Sequence, residues 1–256
     1  MTGNHVAVTA EQHKNTKIRR DVGFGYAEKV HVVPIVMNEF ADVAANCPII
    51  FVKEENGERL RVAAMMGLDV EKNLMVKDNE WQGTHVPMNL GRVPFSFVPI
   101  GDGKALGTAV DMDSDLVSET EGEPLFDEAG EPTEYLKNVN QFLGNLFNGE
   151  IATKRFTDAL SQSDLLREFK LLMTGEDGTR RELVGLYTVE PKLLQELPHD
   201  TILEYHKDGI LAGLHIAIQS MSQVKRLVRL HNAMGENRIS AVNLEIVNGD
   251  QTVVTS

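Results

Sequence analysis

The sequence predicts an α+β fold: a single domain with a mainly antiparallel sheet in the first half and helices concentrated in the second. Three observations predict it. Apolar and β-branched runs such as Ile49–Lys53 and Arg59–Met66 flank Asn56-Gly57, and that dipeptide between two strand-like runs is a hairpin signal. After residue 130 the apolar residues recur at helical spacing, as in Tyr135, Leu136, Val139, Phe142, Leu143, Leu146 and Phe147. The chain is 256 residues long, enough for one large domain or two small ones and for a sizeable core.

Residues 1–20 are polar and read as an irregular or edge arm. The domain proper is expected over 21–247, with a frayed tail over 248–256. Within His31–Val36 the β-branched residues predict a strand, and Pro34 argues against a central place for it. Asn38 reads as the N-cap of a short amphipathic helix carrying Phe40 and Val43, which Pro48 stops. Ile49–Lys53, the turn at 54–58 and Arg59–Met66 form the hairpin, and Leu74–Val76 is a further short strand. The stretch Trp81–Phe97 joins the two halves. It reads as strand, turn, strand, with Pro87 and Pro94 holding the backbone extended and Gly91 permitting the bend.

Pro94–Ile100 predicts another strand, followed by a hairpin turn at Gly101–Gly107. Pro132 opens a helix that Asn148-Gly149 is expected to end, with a second helix over 152–161. Leu165–Leu172 reads as a further turn or a strand, and Arg181–Val189 as the return strand beyond a Gly-Glu-Asp-Gly turn. A short helix at 190–197 and a strand at Thr201–His206 follow, so strand, helix and strand would recur at 31–53 and 183–206. His215–Met234 predicts one last helix, and Ala241–Val247 a last strand.

Composition narrows the function. A formal net charge of −13 repels phosphate backbones and anionic membranes, so the sequence excludes nucleic acid as a partner and favours a positively charged protein or peptide. The single cysteine rules out an intrachain disulfide and fits a reducing compartment. Cys47 precedes Pro48 and an apolar run, and reads as a small buried hydrophobe. No basic-then-apolar leader opens the chain and no apolar run reaches the length of a membrane span, so a cytoplasmic protein is expected, with signal-less export left open.

Local spacing assembles no catalytic constellation. Gly101–Gly107 fits neither phosphate-binding glycine pattern. Asp111–Asp115 lacks the glycine and glutamate of a calcium loop. There is no Gly-x-Ser-x-Gly elbow and no zinc spacing. His206 and Asp208 have the His-x-Asp spacing of an iron site, with His215 or His231 as a third ligand, and form a weak metal alternative to an ordinary turn. No cofactor is expected. The best ligand-binding cluster is Trp81, His85, Arg92 and Phe95. An indole offers stacking area and a guanidinium a fork for a carboxylate, as a peptide or carboxylate pocket needs; the competing reading is a proline-bounded strand pair.

Several of these segments resemble the bacterial SapC family. Trp81, His85-Val86-Pro87 and Arg92-Val93-Pro94-Phe95-Ser96-Phe97 are similar to its tryptophan, aromatic-x-Pro and Arg-x-Pro-Phe signature. Leu125-Phe126-Asp127 through Gly130-Glu131-Pro132 resembles its Leu-Phe-Asp-x-x-Gly-x-Pro segment. His31–Ile35 with Glu39-Phe40 and Pro48–Phe51 resembles its opening, and Gly185–Val189 its later strand. The resemblance spans roughly residues 24–232. It concerns the surface-layer-associated family, not the like-named peptide-transporter permease, which needs membrane spans. It implies a non-enzymatic binding or accessory protein of a surface-layer or outer-membrane uptake system. An oxygenase-like enzyme or enzyme subunit, and a structural surface-layer component, stay open as alternatives. The family supplies no catalytic residues.

Overall fold

The structure is a computed structural model that describes residues 3–54, 59–100, 105–235 and 237–247. It is a mixed fold of helices and antiparallel strands, with the largest helices late in the chain. The chain divides into two compact units, residues 1–25 with 88–148, and residues 26–87 with 149–256.

In the first unit, the strands Phe95–Ile100 and Ala105–Asp111 pair antiparallel, and His5–Ala7 adds an edge to the second of them. A later part of the polar opening pairs as well. Lys17–Ile18 lies between the short strands Val117–Ser118 and Glu123–Pro124. The turn expected at 101–107 falls mainly outside the described residues, but Ile100 and Ala105 pair across it. The helix from Glu134 is anchored by Tyr135 against Phe95, by Phe147 against Phe97, and by the Thr108 hydroxyl donating to the Asn140 carbonyl oxygen at 2.6 Å. Arg20 lies over the Tyr135 ring, 5.8 Å from its centre. Burial pushes the Tyr135 hydroxyl up to about 12, with Arg20 opposing.

In the second unit, the described strands of the main sheet run in the order Ile239–Ile246, Leu166–Gly175, Arg180–Val189, Ile49–Lys53, Leu60–Met65, Val32–Pro34, all antiparallel. Pro34 sits in the edge strand, where its missing N–H costs nothing. The turn at 55–58 lies outside the described residues, as does the tail from 248; the flanking strands pair through Lys53 and Leu60. Gly185 has φ +75° inside its strand, near the register shift between Phe169 and Leu171, a bulge that a residue without Cβ accommodates. Phe40, Phe51 and Phe156, each at most 1 % exposed, form the aromatic centre of the core.

Four expectations are corrected. Asn148-Gly149 does not end a helix; one helix runs from Glu134 to Ser161. A Cβ at Gly149 would lie 2.4 Å from Asn38 Oδ1 and 2.9 Å from Val36 Cβ, so the glycine serves close packing rather than termination. Asn38 is not the N-cap. It lies inside the 3-10 turn Met37–Glu39, and the Glu39 carboxylate reaches back to accept the Val36 N–H at 3.1 Å. Thr201–His206 is not a strand but part of the helix His199–Lys207, with Asp200 in its first turn and His206 and Lys207 in its last, as the helix dipole favours. Its buried Tyr205 lies three residues from Ile202, while Leu203 is exposed, so the strand–helix–strand echo does not exist. The last helix is interrupted. Ile210–Ser220 gives way to a 3-10 turn before Val224–Ala233, because the Ser220 hydroxyl donates to the Ala217 carbonyl and accepts the Ile49 N–H at 2.8 Å. Among the described residues no helix is long and apolar enough to cross a membrane.

Two glycines of the long helix predict opposite effects. No atom lies within 4 Å of a Cβ at Gly144. Gly144→Ala should therefore stabilise the protein by roughly 0.5–1 kcal/mol through helix propensity. Gly149→Ala should instead destabilise it by about 1–3 kcal/mol through overpacking. Urea unfolding midpoints of the two variants check the sign.

Candidate functional site

The sequence places its candidate ligand residues on the Trp81–Phe97 stretch. The first part of that stretch is held from three directions within the second unit. Val76–Lys77 pairs with Glu80–Trp81, and the Gln82 N–H donates to the Met75 carbonyl at 2.8 Å. The chain then turns through Gly83. A Cβ there would lie 2.8 Å from Trp81 Nε1, 2.9 Å from Met75 Cε and 3.2 Å from Asn46 Oδ1, so only glycine admits this approach. The Trp81 indole N–H donates across the turn to the His85 carbonyl at 2.8 Å.

His85 is anchored in its turn by Glu39. Its Nε2 lies 2.7 Å from Glu39 Oε2; the His85 side chain is 24 % exposed and that of Glu39 2 %. With its proton on Nε2 the ring donates to the carboxylate, whose other oxygen holds the Val36 N–H. A buried carboxylate bonded on both oxygens is tolerated where an unpaired one is not.

Asn46 grips the same loop. Its carboxamide donates to the Thr84 hydroxyl at 2.9 Å and accepts the Thr84 N–H at 3.1 Å, while also donating to the Asp42 carbonyl at the end of the short helix. Arg226 completes the arrangement from the helix Val224–Ala233. Its Nη2 donates to the Gln82 carbonyl at 2.6 Å, and its Nη1 lies 3.1 Å from both the Asn46 carbonyl and Met75 Sδ.

The structure thus joins Trp81 and His85 in one hydrogen-bonded loop. Arg92 and Phe95 belong to the first unit. There Met88–Gly91 is a helical turn, and Gly91 is not left-handed, which corrects the expected strand–turn–strand hinge. Arg92 is half-buried, and its N–H donates to the Met88 carbonyl. Phe95 is 5 % exposed and packs on Tyr135 at 6.2 Å. The sequence reading missed Glu39, Asn46 and Arg226. Asn46 had a usable signal, an amide side chain at the end of a helix just before Cys47-Pro48. Arg226 had none, because Lys225 and Arg229 flank it in the same helix and are exposed.

Of the weak metal alternative, His206 closes its helix and Asp208 caps it, both exposed. His231 is buried, with Nε2 3.2 Å from the Asn237 carbonyl and Nδ1 3.5 Å from the Asp69 carboxylate, which also pairs with Arg181. Among the described residues no group of three or more His, Cys, Asp or Glu is placed to hold a metal ion.

A family model described as SapC matches residues 8–227. No curated protein and no solved structure matches the chain.

Cys47 lies directly after Asn46, 2 % exposed. Burial pushes its thiol up to about 12, and the nearby Arg226 charge only partly opposes this. The thiolate is the reactive form, so the folded protein should stay inert to thiol reagents between about pH 7 and pH 9. Labelling with an aromatic disulfide reagent should proceed only at the rate of unfolding and become complete in denaturant. Fast labelling of the native protein at pH 8 would contradict the burial argument.

Proposed function

The chain belongs to the SapC family, and on that premise we propose that it is a non-enzymatic binding protein, an accessory of a bacterial surface-layer or outer-membrane uptake system with a protein or peptide partner. The observation that carries this reading is the way the loop from Trp81 to Val86 is braced. The indole N–H, the imidazole Nε2, the Asn46 carboxamide and the Arg226 guanidinium all bond within the loop or its supports. A general acid or base has to present a nitrogen or oxygen to the reacting atom. A recognition loop has a different need: its shape is set before the partner arrives, so that binding does not cost the entropy of ordering it. The bracing serves the second need.

Trp81 and His85 are half-buried, so each presents part of its ring to solvent. Such rings are rigid, amphipathic contact surfaces. In the first unit, Arg92 is the candidate for a carboxylate, and Phe95 is buried against Tyr135. The net charge of −13 favours a basic partner surface over nucleic acid. We place this work in the cytoplasm, which the lone buried Cys47 suits.

Affinity capture from the native bacterium tests the reading, with wild-type protein, Trp81→Ala and Trp81→Phe as baits. Envelope proteins of a surface-layer or uptake system should be enriched by wild type, reduced by Trp81→Ala and largely retained by Trp81→Phe. Equal capture by all three baits would contradict it. So would turnover of 2-oxoglutarate by the purified protein with ferrous iron, which is the outcome the oxygenase-like alternative requires.

A further inference from the structure

We propose, resting on the binding role assigned above, that the loop from Trp81 to Val86 takes an arginine side chain of its partner, stacked on the Trp81 indole and donating an N–H to His85 Nδ1. Trp81 and His85 belong to one tight turn, because the indole N–H donates to the His85 carbonyl at 2.8 Å. Both residues are half-buried, so each ring keeps part of its surface open to a partner.

The polarity of the site is set from beneath. The Glu39 side chain is 2 % exposed, and both of its oxygens are engaged: Oε1 accepts the Val36 N–H at 3.1 Å, and Oε2 lies 2.7 Å from His85 Nε2. A carboxylate in that position accepts, so the neutral imidazole carries its proton on Nε2 and its lone pair on Nδ1. Among the described residues Nδ1 has no hydrogen-bond partner, and it is not sealed from solvent. The His85 side chain is 24 % exposed although its Nε2 end sits on the buried carboxylate. The open side of His85 therefore accepts a hydrogen bond and cannot donate one.

That polarity selects the occupant. A carboxylate brings only acceptors and meets a lone pair, and a hydrocarbon leaves Nδ1 without a donor. Arg226, the guanidinium already under the loop, has its donors on the Asn46 and Gln82 carbonyls, so the donor for Nδ1 comes from outside. A partner's arginine suits both rings at once. Its flat guanidinium stacks on an indole face through cation–π attraction and directs its N–H groups sideways, toward an acceptor beside the ring. A lysine is a point charge with no plane to stack. The net charge of −13 draws a cationic side chain toward the protein over a longer range.

The test is a titration of the full chain at about pH 8 with N-acetyl-arginine N-methylamide, read by the emission of Trp81, the only tryptophan. A saturable change is expected, with a dissociation constant on the order of 1–10 mM for a ligand this small. The norleucine and glutamate analogues of the probe should bind at least about fivefold more weakly, the loss of one hydrogen bond. His85→Gln keeps an amide N–H where Nε2 stood, so Glu39 stays bonded and the loop stays closed, but the outward acceptor is removed. Its emission without probe should match wild type, while its affinity for the arginine probe should fall about fivefold. Long-range nitrogen NMR of the His85 ring in wild type should show Nε2 protonated and Nδ1 bare. The proposal is overturned if the emission change does not saturate, if the norleucine or glutamate probe binds as tightly as the arginine probe, if His85→Gln binds as wild type does, or if Nδ1 carries the proton. Capture of envelope proteins without an arginine preference would leave the binding role standing and remove this assignment alone; an arginine preference without capture would do the reverse.

Discussion

The loop from Trp81 to Val86 depends on one guanidinium. Arg226 projects from the helix Val224–Ala233 and contacts two segments far apart in sequence: the Asn46 carbonyl, and the hairpin that carries Met75 Sδ and the Gln82 carbonyl. Each of these backbone oxygens lies where a regular element stops, and such groups need a partner once water is excluded. A planar, permanently charged fork meets several at once, and hydrogen bonds with a charged donor are stronger than neutral ones. A lysine has the charge but not the geometry. Around this contact the Asn46 carboxamide and the Glu39 carboxylate fix Thr84 and His85, and the indole closes the turn.

The consequence is a loop whose form is set by the fold. Gly83 allows three side chains to converge on its backbone, and any Cβ there would strike Trp81, Met75 or Asn46. Trp81 is held by its N–H and His85 by its ring, so neither has to search for its position when a partner approaches. That is the physical content of the binding proposal.

Much of the fold was legible because sheet patterning is local. Ile49–Lys53 is a short apolar run, Leu60–Met65 opens with alternation, the two flank a turn dipeptide, and they pair as read. Arg180–Val189 is likewise a strand as read, and of the turn and strand readings of 165–172 the structure takes the strand, Leu166–Gly175, which pairs with it around Gly178, whose φ is +82°. What failed was punctuation. Asn148-Gly149 carries the residues that usually end a helix, yet here the glycine answers to Val36 and Asn38, more than a hundred residues away. Thr201–His206 has β-branched residues and lies between a proline and a glycine, but its apolar spacing of three and its terminal charges belong to a helix. Trp81 and His85 stood out by type, and the structure does bring them together. Glu39 and Arg226 could not stand out, because ordinary charged residues become determinants only through tertiary contacts.

Trp81 is the only tryptophan, so its fluorescence reports on this loop alone. Arg226→Leu keeps an apolar stem and removes every donor of the guanidinium. A red-shifted Trp81 emission is expected, with increased acrylamide quenching in the still-folded protein and a stability loss of about 2–4 kcal/mol from the unmet carbonyls. An emission maximum and quenching constant equal to wild type, with stability changed by less than about 0.5 kcal/mol, would contradict the claim that Arg226 sets the loop.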